Sequence, residues 1–160
     1  MLSPLSSHRA KSHRVSGVST GPRDAREFSQ AHGKSRAGAV LVVDDEPLIR
    51  WSLVQTLGDR GLAVTEAGDG QSAMREVASA PEPFAVIVLD YRLPDSQDFT
   101  LLAWLRRESP SSSIILMTAH GGTPEVSRGA LDLGALRVVT KPFELDDIAD
   151  LVIQASAARG

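Results

Sequence analysis

The sequence predicts an α/β domain in which five parallel strands form one sheet with helices on both faces. Three observations lead there. Short runs rich in Val, Ile and Leu alternate with segments of helical spacing, five times over. One run, Phe84–Leu89, is apolar at six consecutive positions, the pattern of a strand buried on both faces. Four of the runs end in a polar residue, and in open parallel sheets ligands bind beyond such carboxyl ends.

Each element has its own local signal. Ala39–Val43 is a β-branched run ending at Asp44-Asp45-Glu46-Pro47, where acids and a proline at the first helical position mark a helix start. Ile49, Leu53, Thr56 and Leu57 recur at helical spacing, and Gly61 fits the position just past the helix end. Leu62–Glu66 reads as a second strand, and Gln71–Ala80 as a second helix stopped by Pro81 and Pro83. Phe84–Leu89 is the third strand, ending in Asp90; a loop with Pro94 leads to a helix over Phe99–Glu108. Ser113–Met117 is the fourth strand, ending at Thr118, and Pro124 opens a helix that Gly134 closes. Leu136–Thr140 ends at Lys141-Pro142, and Glu144–Ala157 is the last helix. Right-handed crossovers reduce the topologies to a few.

Composition removes several functional classes. A chain of 160 residues, 42% hydrophobic and 23% charged, is large enough for one self-supporting core. With no cysteine there is no disulfide framework, cysteine nucleophile or thiolate metal site. No apolar run approaches the roughly 20 residues that span a bilayer, so no membrane association is expected. The net charge of −3 divides unevenly. Residues 1–38 carry seven Lys/Arg against Asp24 and Glu27, a net +5, and the remainder carries ten basic and eighteen acidic groups, a net −8.

The basic stretch has no apolar periodicity and is expected to be a disordered extension, because it cannot bury enough apolar surface to offset its ordering entropy. It lacks the apolar stretch of a secretory signal. An organellar transit peptide, a nucleic-acid contact and a solvated tail remain open for it. The domain itself is expected over residues 39–158.

If the sheet is parallel, one edge collects Asp44, Asp45, Asp90, Thr118 and Lys141. Close carboxylates repel and raise one another's pKa unless a cation neutralises them. Hard oxygen donors without His or Cys suit Mg²⁺, with Mn²⁺ as the alternative, rather than zinc. A carboxylate beside a cation, a lysine and a hydroxyl has the parts to handle a phosphoryl group.

These residues resemble the receiver domain of two-component response regulators. The likeness rests on VLVVDDEP at 40–47, VIVLDYRLPD at 86–95, ILMTA at 115–119 and VVTKPFE at 138–144, and it runs from about Val40 to Val152. The resemblance implies a flavodoxin-like doubly wound (βα)5 fold. It implies that Asp90 takes a phosphoryl group from a phosphohistidine on a sensor histidine kinase or histidine phosphotransfer protein. Asp45 would bind Mg²⁺ directly and Asp44 largely through water, Asp90 would share the cation, and the backbone carbonyl of Arg92 would complete the protein ligands. Thr118 would hydrogen-bond the phosphoryl oxygens, Lys141 would pair with them, and the Lys141–Pro142 bond would be cis. The output surface would be the fourth helix, fifth strand and fifth helix.

Other residues are weighed the same way. Trp51 and Trp104 are expected to pack partly on their helix faces, with Trp51 alternatively a kinase-docking contact. His120 and Arg92 are candidates for tuning hydrolysis of the phosphoryl group. Glu144–Asp150 reads as a solvated face and helix-start charge. Three positions depart from the family pattern. Val138 stands where an aromatic switch residue is common, Gly121-Gly122 lengthens the loop after the fourth strand, and Asp98 replaces a frequent glycine.

The expected function is therefore a phosphorylatable receiver that signals by protein–protein contact to a downstream target. It would catalyse only its own phosphorylation and dephosphorylation, so it is not classed as an enzyme. With no DNA-binding output domain after Ala158, the chain is expected to be a stand-alone cytoplasmic regulator. An interaction module working without phosphorylation is the alternative. An aspartyl-nucleophile phosphatase is a further one, but it needs a general-acid Asp two residues after the nucleophile, where Arg92 stands.

Overall fold

The computed structural model describes residues 38–119 and 122–158. Ten elements alternate along the chain: β1 (Val40–Val43), α1 (Pro47–Asp59), β2 (Val64–Ala67), α2 (Gly70–Ser79), β3 (Val86–Asp90), α3 (Thr100–Glu108), β4 (Ser113–Thr118), α4 (Pro124–Asp132), β5 (Arg137–Thr140) and α5 (Leu145–Ala157). All five strands are parallel, in the order β2-β1-β3-β4-β5. The doubly wound sheet expected from the alternation is thus present. The strand order reverses between β1 and β3, which opens a crevice at their carboxyl ends.

Alternation along each strand divides the core into two layers. Val40, Val42, Val86, Val88, Ile115 and Met117 face α1 and α5, meeting Leu53, Leu57, Ile148 and Val152. Leu41, Val43, Ile87, Leu89, Ile114 and Leu116 face the other side, meeting Ala73, Leu101, Leu102, Leu105 and Ala130. Fully burying one such Leu or Ile side chain stabilises the fold by about 1.5–3 kcal/mol before entropy is counted. β1 and β3 are buried along their whole length, as central strands of a covered parallel sheet must be. β5 lies at the edge and is more open.

Two helices end in the same way. In α1, Leu62 N–H bonds Leu57 O at 3.2 Å and Gly61 N–H bonds Gly58 O at 2.9 Å, with Gly61 at φ +83°. In α4, Ala135 N–H bonds Ala130 O at 2.9 Å and Gly134 N–H bonds Leu131 O at 3.0 Å, with Gly134 at φ +97°. Both are Schellman motifs, which place a residue in the left-handed region at little cost only when it is glycine. The first explains why β2 starts later than expected. Leu62 is used to close α1, packing in the same core layer as Leu57, and pairing begins at Val64.

The start of α2 was only partly foreseen. Asp69 caps it, accepting from Ser72 N–H at 2.6 Å, while Asp95 reaches over from the β3–α3 loop to accept from Gly70 and Gln71 N–H at 2.8 and 2.9 Å. Three amides that have no partner within the helix are thereby satisfied. Among the described residues no helix is long and apolar enough to cross a membrane.

Candidate functional site

β1, β3, β4 and β5 deliver their terminal polar residues to one edge of the sheet. Asp44 follows β1 directly and is fully buried; Asp90 closes β3 in register with Met117; Thr118 closes β4 in register with Thr140. Two backbone bonds hold these ends together, Tyr91 N–H to Met117 O at 2.8 Å and Lys141 N–H to Thr118 O at 2.7 Å. The Lys141–Pro142 peptide is cis, as expected.

The Lys141 ammonium is the hub. Its Nζ lies 2.8 Å from Asp44 Oδ2, 3.1 Å from Asp90 Oδ2 and 3.2 Å from Glu46 Oε1, with the side chain only 12% exposed. The other carboxylate oxygens are also occupied. Glu46 N–H donates to Asp44 Oδ1 at 2.8 Å, and Arg92 N–H donates to Asp90 Oδ1 at 3.2 Å. Asp45 stands exposed at the rim. One carboxylate oxygen from each of Asp44, Asp45 and Asp90 lies within 4.8 Å of the others.

The electrostatics are those of a crowded, half-dry acidic pocket. Burial raises the Asp90 carboxyl above the usual aspartate range, and the nearby Asp44 charge adds to the rise. Lys141 and the Arg92 N–H oppose it without cancelling it. For Lys141, burial alone would favour the neutral amine. The hydrogen bond to Asp44 and the charges of Asp90 and Asp44 outweigh it and hold the ammonium well above its ordinary value. Three oxygen donors with surplus negative charge and no nitrogen or sulfur ligand fit a hard divalent cation of the Mg²⁺ type.

Beside this pocket is a cavity of about 220 Å³ lined by Tyr91, Arg92, Thr118, Gly122, Thr123 and Val126. Thr118 is buried at its wall, and a Cβ placed on Gly122 would come within 2.7 Å of the Thr118 hydroxyl oxygen. Gly122 therefore sits close over that hydroxyl. Arg92 contributes its backbone N–H, while the residue as a whole is exposed.

Several expectations need adjustment. Trp104 packs partly against the α3-side core as anticipated, but Trp51 does not pack; it is 59% exposed on the outer face of α1, next to the exposed Leu48. Leu53 and Leu57 already define the buried stripe of that helix, and Trp51 lies off it. The acidic run of α5 is not merely solvated, because Asp146 and Asp150 both pair with Arg60 at 2.8 Å. Asp98 earns its place by accepting from Thr100 N–H at 2.8 Å at the start of α3. Val138 is half-buried against the core on the α2/α3/α4 side. His120, Gly121 and residues 1–37 lie outside the described residues.

Two contacts at the site were not anticipated. Glu46, read as a helix-start acid, is a third partner of Lys141, and Arg50 donates from Nη1 to the Asp44 carbonyl at 2.7 Å. The available signal for Arg50 was its position one helical turn past Glu46, which returns it over the β1–α1 loop.

Comparison with known proteins agrees with this fold. Residues 40–153 match the response regulator receiver domain family. The chain is 40% identical over 108 residues to the transcriptional regulatory protein KdpE of Mycobacterium tuberculosis, covering 68% of this chain and 46% of that one. It is 33% identical over 118 residues to the DNA-binding transcriptional regulator NtrC of Escherichia coli, covering 74% and 24%. The chain thus spans half or less of the length of these curated relatives. Among solved structures, the receiver domain of the Francisella response regulator 1452 superposes with a TM-score of 0.70 at 26% identity, covering 77% of this chain and 99% of that one.

Proposed function

This chain belongs to the response regulator receiver domain family, and on that premise we propose that Asp90 is its phosphoacceptor. The observation that carries the proposal is the shared ammonium. One lysine holds both Asp90 and Asp44, at a strand edge where a third carboxylate completes a cation-sized cluster.

A carboxylate oxygen of Asp90 attacks the phosphorus of a phosphohistidine on a sensor histidine kinase or phosphotransfer protein. The P–N bond breaks, its electron pair stays with the imidazole nitrogen, and an acyl phosphate forms on Asp90. Asp44, Asp45 and Asp90, with the Arg92 backbone carbonyl, would hold Mg²⁺ or Mn²⁺, which would neutralise the phosphoryl oxygens when bound. Lys141 is placed to exchange one of its carboxylate contacts for a phosphoryl oxygen. Thr118 offers its hydroxyl from the cavity wall, and movement of the β4–α4 loop with it is the event that alters the α4–β5–α5 surface. Water reverses the modification by hydrolysing the acyl phosphate, so the chain catalyses changes to itself alone. We assign residues 39–158 to the receiver and 1–38 to a basic extension, and place the protein in the cytoplasm, where a phosphohistidine donor and a downstream protein target are found together.

The test is intact-mass measurement after incubation with Mg²⁺ and a small-molecule phosphodonor. One acid-stable, base-labile phosphoryl group that requires both Mg²⁺ and Asp90 is expected. Absence of an adduct on folded protein that also fails to take up beryllium fluoride would overturn the proposal in favour of an unphosphorylated interaction module.

A further inference from the structure

The three carboxylates of the acidic cluster are not held equally. The Asp44 side chain is fixed on both oxygens, by Glu46 N–H and by Lys141, and the Asp90 side chain is fixed by Arg92 N–H and Lys141. Among the described residues no hydrogen bond reaches the Asp45 carboxylate, which is exposed. Where it stands is therefore decided by its backbone, and the backbone carbonyl just before it is the one that Arg50 grips.

We propose that Arg50 is a positioning residue for the divalent-cation site: by holding the peptide that joins Asp44 to Asp45, it sets where the Asp45 carboxylate meets the cation. Its Nη1 donates to Asp44 O at 2.7 Å, and a charged donor makes this bond stronger than an ordinary amide contact. The guanidinium is itself constrained. The Arg50 side chain is 19% exposed, its Nε lies 3.8 Å from Glu66 Oε1 on β2, and the guanidinium rests beside Gly68, where a Cβ would stand 3.4 Å from Nη1. Arg50 N–H is also tied to Glu46 O at 3.0 Å, so the arm that grips the loop springs from the first turn of α1. The planar fork reaches the carbonyl while keeping its salt-bridge side toward Glu66, which an ammonium cannot do at both ends.

Charge and positioning predict opposite signs. A positive side chain near a cation site repels the cation, so if Arg50 were only a nearby charge its removal would tighten binding. If it positions Asp45, its removal loosens binding. Groups that orient metal ligands typically contribute about 10–100-fold in affinity, and here the carbonyl is one covalent step from the ligand it serves.

The inference rests on the proposal that the acidic cluster holds a divalent cation, and the experiment separates the two. Mn²⁺ is titrated into the full chain by loss of the free-ion electron paramagnetic resonance signal, with Mg²⁺ competition, and the metal-free thermal midpoint is measured alongside. Arg50→Met is expected to weaken Mn²⁺ and Mg²⁺ binding about 10-fold. Arg50→Lys, which keeps the charge and can donate to the carbonyl but cannot also hold Glu66, is expected to recover only part of that loss. Unchanged or tighter binding by Arg50→Met, whatever its thermal midpoint, overturns the role of Arg50. Failure of the parent chain to bind Mn²⁺ overturns the cation site instead. Should Arg50→Met not fold, Arg50→Gln is too short to reach the carbonyl and is judged by the same criterion.

Discussion

Lys141 lies between Asp44 and Asp90, 2.8 Å from Oδ2 of the first and 3.1 Å from Oδ2 of the second, joining the ends of β1 and β3 through the loop that follows β5. Each carboxylate is buried at the sheet edge, and neither has another side-chain cation within salt-bridge distance among the described residues. The stability of the pocket therefore depends on the same ammonium that is proposed to meet a phosphoryl oxygen.

Replacing Lys141 with Met is expected to destabilise the metal-free protein by about 3 kcal/mol, the lower end for breaking a buried pair, since the lysine keeps some contact with water. Millimolar Mg²⁺ should recover part of the loss by neutralising the same carboxylates. Urea unfolding in chelator and in Mg²⁺ measures both. A loss under about 0.5 kcal/mol would mean the contacts are energetically idle.

Asp90→Asn should be more stable than the parent at neutral pH in chelator. Because burial raises the folded-state pKa of Asp90, the fold favours its protonated form. Its contribution to stability therefore falls as pH rises from about 4 through the raised value, and is fully unfavourable above it. The stability gap between variant and parent should close as pH is lowered toward 4. A gap independent of pH would show that Asp90 titrates normally.

The α2 cap gives the opposite sign. The Ser72 N–H bond depresses the Asp69 carboxyl, so the stability it confers is present above about pH 4 and is lost as pH falls through the lowered folded value. Asp69→Ala should lower the thermal midpoint by a few degrees at pH 7 and by less near pH 3. Equal losses at the two pH values would exclude a charged cap.

A buried hydroxyl relay supports the entry to β3. Ser112 Oγ donates to Phe84 O at 2.7 Å and lies 2.6 Å from Ser109 Oγ. Ser112→Ala leaves the carbonyl and the second hydroxyl without this partner and should cost about 1–3 kcal/mol. Chemical denaturation tests this, and a change below about 0.5 kcal/mol would require a replacement water at the site.

The alternation of β-branched runs with helical spacing was enough to predict all ten elements, because buried strands and amphipathic helices each write their period into nearby residues. Pro47 and Pro124 at helix starts, and Gly61 and Gly134 at helix ends, were legible for the same local reason. The strand-end residues Asp44, Asp45, Asp90, Thr118 and Lys141 could be assigned to one edge as soon as the sheet was taken to be parallel. What only the tertiary structure decided are contacts between residues far apart in sequence. Lys141 chooses Asp44, Glu46 and Asp90 from across 97, 95 and 51 positions, and Asp95 caps a helix 25 residues earlier. Arg50 turns inward onto a carbonyl while its neighbour Trp51 turns out to solvent. Such pairings follow from the strand order β2-β1-β3-β4-β5 and the crossovers that produce it. Local periodicity says which face of an element is apolar, but the order of strands in the sheet says which polar groups meet at its edge.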